Sequence, residues 1–260
     1  MSIRPLLILP ASILLGASLY ASSYSLSVSA DTTKFDYTET ANGAVLDTET
    51  NGFGDISGYT VDFQPEKNGF YVSGSYAKGD TDYIGGTNLN PTYGSHQTTT
   101  HNTLVDYSAG YKTTTVIASR HMEIPVKFGV GYHGWLRELQ STPTVFGYDE
   151  KYEWGYFDAG VGLHYRASSA ILMGIDANYR KAFNAEMYEN WNGYTYKLKN
   201  VYGYKVAVPL EYSLDASWST FAKYTYEYWN IDASDPVGGY YEPDSETKNE
   251  TLSVGVKFRF

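Results

Sequence analysis

At 260 residues the chain is long enough for one large β domain or two small ones. Its net charge of −10 argues against a nucleic-acid partner, which would need a basic surface. With no cysteine it has neither a disulfide framework nor a thiolate metal site, while 27 tyrosines favour strands and water–apolar boundaries.

Residues 1–21 read as a secretory signal peptide, with Arg4 as the positive start, Leu6 to Leu19 as the apolar stretch and Ala21 before the cleavage point. The apolar run contains Pro10 and is short of the ~20 residues a membrane-spanning helix needs. The mature domain is therefore expected over 22–260.

Beyond residue 22 the sequence alternates with period two, which predicts strands with one apolar and one polar face. Tyr24, Leu26, Val28 and Ala30 open the first strand, Tyr59, Val61 and Phe63 mark the second, and Phe70, Val72 and Tyr76 the third. The fourth runs from Val105 to Tyr111 with Asp106 opposite, and the fifth from Ile124 to Tyr132 with Lys127 and His133 opposite. Phe157 to Tyr165, Ile171 to Tyr179, Tyr202 to Tyr212 and Trp218 to Tyr228 give the sixth to ninth. Pro209 falls inside the eighth, where an end-of-strand bulge is expected. Leu252, Val254, Val256, Phe258 and Phe260 alternate with Ser253, Gly255, Lys257 and Arg259 in the tenth.

The joins near 64–68, 113–120, 166–169 and 213–216 are short. Those near 42–54, 84–100, 139–150, 184–195 and 232–247 are long and polar. Segregated loop lengths and full charges in mid-strand do not suit a sandwich core but do suit a water-filled lumen. The pattern predicts an all-β fold, a transmembrane antiparallel up-and-down β-barrel of about 10 strands, with 8 or 12 as the alternatives.

The last strand, ending in Phe258 and Phe260, resembles the C-terminal strand of bacterial outer-membrane β-barrels. The resemblance implies residence in the outer membrane among its lipid and lipopolysaccharide, and reading of Phe258 and Phe260 by the barrel-assembly machinery. A monomer without a cofactor is expected. Ten strands with five outer loops also resemble the omptins, outer-membrane proteases that activate water with an Asp-x-Asp and an Asp-x-His pair. Asp80 and Asp82 match the first pair in spacing and place. Phe183 to Trp191, where the second would fall, contains no histidine, so a similar architecture without the protease set is expected. His96 and His101 are the nearby imidazoles.

By parity the lumen face carries Asp106, Lys127, His133, Arg137, Asp158, Arg166, Asp176, Arg180, Lys205, Lys223, Glu227, Lys257 and Arg259. In a narrow barrel such balanced charges are expected to pair and stiffen the wall, a conducting path being the alternative. His133 is expected to meet Asp158, and His133 and His164 are not level enough for a metal site. The outer loops are acidic, with Asp47, Glu49 and Asp55 in the first and Asp232, Asp235, Glu242, Asp244 and Glu246 in the last. Solvation of these carboxylates is expected, with divalent-cation binding the alternative. Trp191, Tyr194, Tyr196, Trp229, Tyr240 and Tyr241 near the last two loops suit a partner or glycan, or loop packing. The resulting order of functions is a structural or surface-interaction barrel, then a porin-like small-solute channel, then an omptin-like protease.

Overall fold

The computed structural model describes residues 23–87, 89–117 and 121–260, and the expected signal peptide lies outside the described residues. The strands are β1 (Tyr24–Ala41), β2 (Ala44–Thr50), β3 (Ile56–Pro65), β4 (Gly69–Gly85), β5 (His96–Ile117), β6 (Met122–Leu139), β7 (Asp149–Arg166), β8 (Ile171–Glu189), β9 (Thr195–Lys197), β10 (Lys199–Ser213), β11 (Trp218–Asp232) and β12 (Asp244–Arg259). β2 and β3 share one place in the wall, both pairing β1 and β4, and β9 and β10 share another beside β8. The result is ten staves, every pairing antiparallel, closed where β1 meets β12 from Ser25↔Arg259 to Thr40↔Asp244. Backbone bonds between Tyr24 and Phe260, 3.1 and 2.9 Å, finish the seam. Among the described residues closure pairs each stave of the apolar band on both sides, which is what lets strands cross a bilayer.

Outward positions form an apolar band. Val254, Phe128, Phe157 and Val161 are each more than half exposed, which in water would be an unstable surface and in lipid is the expected one. Aromatic rings border the band at both ends. At the short-turn end Phe63 lies 4.8 Å from Tyr24 and 6.2 Å from Phe260, and Trp218 lies 4.8 Å from Phe258. At the loop end Tyr59 meets Tyr76 at 5.8 Å and Tyr179 meets Tyr204 at 5.5 Å. Beyond this upper girdle the outer wall turns charged, with Lys34 3.2 Å from Glu250 and Lys151 2.6 Å from Glu153.

The strands do not stop at that boundary. β1 has 18 residues and β5 has 22, against ~10 for a tilted membrane strand. Along β1 the outward residues change from Leu26 and Val28 to Lys34 and Asp36, while the inward ones change from Ser27 and Ser29 to Phe35 and Tyr37. The polarity of the two faces inverts with no break in the ladder. This inversion corrects the long join expected near 42–54, while those expected near 139–150 and 232–247 are long loops, 140–148 and 233–243. Most of 42–54 is the β2 strand, reached through a tight turn at Asn42 and Gly43 with φ of 52° and 79°, the type I′ geometry that Asn-Gly favours. Pro209 brings no bulge. The pairing of β10 with β8 skips it but resumes in unchanged register, from Ala207↔Asp176 to Leu210↔Met173.

Candidate functional site

The lumen is tiered. At the short-turn end Glu211 takes Lys257 at 2.6 Å and also meets Arg259, whose Nε reaches Glu66 at 3.1 Å. At the same end Arg166 meets Glu123 at 2.8 Å, and two residues further along β7 His164 meets Asp176 at 3.0 Å. A polar cavity of about 260 Å³ follows, walled by side chains such as Asp31, Asp62, Lys112, Lys127, Lys205 and Lys223.

The middle tier centres on Arg180. Its guanidinium stands 3.0 Å from Glu227, 3.4 Å from Asp158 and 3.6 Å from Asp106. Lys205 adds a second contact to Glu227 at 3.4 Å, Asn178 donates to both oxygens of Asp158 at 2.9 Å, and Lys127 lies 4.0 Å from Asp158. His133 meets Asp106 at 3.4 Å, not Asp158. The β6–β7 register places Trp154 opposite His133 and Gly129 opposite Asp158, so the expected pair is not level. Asp106, His133 and Glu227 bring donor atoms within 4.8 Å of one another, but Arg180 already supplies the cation there. Lys223 has no ion-pair partner within 4.0 Å among the described residues.

Above Arg180 the barrel is filled by rings. Phe35, Tyr37, Trp135, Tyr152, Trp154, Tyr156, Trp229 and Ile231 are all 0–1% exposed. Trp135 stacks on Tyr152 at 4.7 Å, Trp154 meets Trp229 edge-on at 5.1 Å, and His133 stacks on Trp154 at 4.6 Å. A missing side chain makes room for one of these rings, since a Cβ on Gly131 would sit 2.2 Å from the Tyr156 ring. The freed Tyr156 hydroxyl donates to Asp106 at 2.7 Å, tying the aromatic tier to the charged one. Rings of this size bury 150–250 Å² each, on the order of 4–6 kcal/mol of gross apolar stabilisation per ring as an upper bound.

The outermost tier holds Arg137, 1% exposed, between Glu49 and Glu150. Its Nε and Nη2 donate to Glu49 Oε1 at 3.0 and 2.7 Å, its Nη1 donates to Glu150, and its plane lies 4.3 Å from the Tyr37 ring. Thr81 and Asn102 donate to the other oxygen of Glu49 at 2.8 and 3.3 Å. Asp47 and Glu242 are buried beside this group, 7% and 5% exposed. These positions lie beyond the apolar band, and burial raises the carboxyls of both, Asp47 to about 7 and Glu242 well above its ordinary range.

These placements correct several expectations. Asp47, Glu49 and Glu242 are buried in the mouth rather than solvated on loops, and Trp229 and Tyr196 are buried rather than displayed. Asp80 and Asp82 both point to the outer wall, where His101 Nδ1 lies 2.6 Å from Asp80. Between them only Thr81 faces the mouth. Glu150, Tyr152 and Trp135 went unread because the apolar phase reverses at the membrane boundary. The Asn42-Gly43 turn was the available signal that β1 and β2 continue as a ribbon. Phe258 and Phe260 stand in the short-turn girdle, their rings 6.0 Å apart.

No protein-family model matches the chain, and no curated protein matches it. Among solved structures, the outer membrane protease OmpT from Escherichia coli aligns with a TM-score of 0.60 at 12% identity, covering 94% of this chain and 99% of that one. The transport unit of the autotransporter AIDA-I from Escherichia coli aligns at 0.45 and 11%, covering 96% and 94%. Neisserial surface protein A aligns at 0.39 and 13%, covering 93% and 100%. At such identities the likeness to OmpT carries the fold and not the chemistry. The chain has the fold of the bacterial outer-membrane β-barrels, in a closed ten-strand form.

Proposed function

We propose that this chain is a structural or surface-interaction barrel of the outer membrane, with a lumen sealed against solute. The observation that carries the reading is the ring-and-Arg137 packing across the loop end, which leaves the loops as the surface offered to the exterior. Those loops display an aromatic patch. Trp191, Tyr240 and Tyr241 are about half exposed, and Trp191 meets Tyr240 edge-on at 5.9 Å. A tight turn at Gly238 and Gly239, φ 62° and 91°, presents Tyr240 and Tyr241 at its end. Exposed contiguous aromatics suit a protein or glycan partner.

Lipid and lipopolysaccharide surround the apolar band in this reading, Phe258 and Phe260 serve the assembly machinery, and the self-closed wall suits a monomer. The polar cavity below the seal supports a channel as the second reading, one that requires the aromatic tier to move. The outward placement of Asp80 and Asp82 gives the protease reading no shared cleft.

The test is adhesion of proteoliposomes bearing the barrel to arrays of matrix proteins and glycans. Binding that falls at least tenfold in a Trp191→Ala, Tyr240→Ala, Tyr241→Ala variant supports the reading. Absent binding, or binding indifferent to those changes, overturns the surface role.

A further inference from the structure

An apolar groove of about 450 Å³ opens on the outer wall among β6, β7 and β8. The register sets Ala159 of β7 between Phe128 of β6 and Tyr179 of β8. The two rings stand out from the wall, 59% and 44% exposed, and the small side chain between them leaves the hollow. Phe157, two residues nearer the loop end, lies opposite Val130 on one side and Lys181 on the other. Lys181 lines the groove at its loop end, two residues past Tyr179 and so just beyond the upper girdle.

The charge at that end is unanswered. Lys181 Nζ donates to Asn200 at 2.5 Å and stands 5.7 Å from the centre of the Tyr202 ring. It has no ion-pair partner within 4.0 Å among the described residues. Two other outward lysines beyond the girdle are each held by carboxylates, Lys34 by Asp36 and Glu250, and Lys248 by Glu246.

We propose that the groove is a site for one phosphorylated lipid of the outer leaflet, with an acyl chain along Ala159 between Phe128 and Tyr179 and a phosphate on Lys181. The hollow faces the hydrocarbon of the bilayer, and a slim chain seated in it gains dispersion contacts on three sides. The convex wall of a second barrel does not reach its floor. A lipid whose chain lies there carries its head at the height of the girdle, where the ammonium of Lys181 meets a phosphate in a charge-assisted hydrogen bond. The inference rests on the outer-membrane placement of the apolar band alone, so it is independent of the sealed lumen and of the loop patch.

The experiment refolds the full barrel in non-ionic micelles free of lipopolysaccharide and confirms folding by the gel shift on boiling. Diphosphoryl lipid A, its dephosphorylated form and inorganic phosphate are then titrated separately, with bound species counted by native mass spectrometry. One saturable lipid A adduct per barrel is expected, with at least tenfold weaker binding of the dephosphorylated form. Lys181→Gln and Ala159→Phe should each weaken lipid A at least tenfold, the first by removing the charge and the second by filling the hollow. Ala159→Leu replaces the second variant if Phe does not fold there. Lys78→Gln should bind as the parent does, because below Lys78 the wall is filled by the rings of Tyr59 and Tyr76, 5.8 Å apart. No saturable adduct, equal binding of the dephosphorylated lipid, or binding unchanged in folded Lys181→Gln and groove-filled variants would overturn the site. Displacement of lipid A by inorganic phosphate would assign the charge to a free anion, and a barrel dimer lost on filling the groove would assign the hollow to a second copy. Either result also overturns the proposal.

Discussion

Arg137 and Glu49, 88 residues apart in the chain, are joined by two hydrogen bonds of 3.0 and 2.7 Å inside the barrel mouth. The guanidinium also reaches Glu150, so one cation holds β2 against β6 and β7. Removing it strands two buried carboxylates. Arg137→Met is expected to cost about 3–5 kcal/mol, the range for breaking a buried pair on one side. Arg137→Lys should recover only part of that, because an ammonium lacks the fork that serves two carboxylates. Denaturant unfolding of the refolded barrel, read by tryptophan fluorescence, measures both.

Asp47 gives the mouth a pH dependence. Burial pushes its carboxyl up to about 7, against the pull of Arg137, while an unfolded aspartate titrates near about 3.9. The folded state thus binds the extra proton between those values. Its stabilising contribution is full below about pH 4 and is lost as pH rises through about 7. Hydrogen exchange in the β1–β2 ribbon, corrected for intrinsic rates and measured without divalent ions, should be faster at pH 8 than at pH 5. Asp47→Asn should flatten that difference.

Trp154 and Trp229 meet at 5.1 Å in the middle of the seal. Trp229→Ala empties a fully buried site, with an expected loss of about 3–5 kcal/mol. If the seal is what blocks the lumen, the same change should also raise the leak of small ions through proteoliposomes. A stability loss without added leak would place the block elsewhere, at the Arg180 tier or the Arg259 floor.

Phe260 closes the seam by its backbone and joins the short-turn girdle by its ring. Phe260→Ala keeps the backbone bonds. It is expected to lower the yield of folded barrel in the outer membrane several-fold, with a smaller effect on the unfolding temperature of the barrel that does assemble. The fraction of membrane protein that shifts on a gel after boiling reads the first effect.

The membrane-embedded part of this barrel was legible in the sequence because lipid imposes one rule along the whole band. Leu252 to Phe260 or Ile124 to Tyr132 can be read by parity alone, and the parity sends Asp106, Arg180 and Lys205 inward. The mouth was not legible for the same reason. Past Thr32 on β1 the outer wall meets water and the inner wall meets other side chains, so the apolar phase passes from Leu26 and Val28 to Phe35 and Tyr37. A phase change in mid-strand looks like the end of a strand. Glu49 and Glu242 therefore resembled solvated loop charges, although each folds into the mouth. The pairing of His133 was also beyond parity, which fixes a face but not a height. Height came from the β6–β7 register.

The sealed lumen is tested most directly by single-channel recording of the unaltered barrel in a planar bilayer, with insertion confirmed independently. The aromatic tier above Arg180 predicts a silent bilayer across moderate voltages. Steady, reproducible conductance steps would contradict it and would make the polar cavity part of an open path.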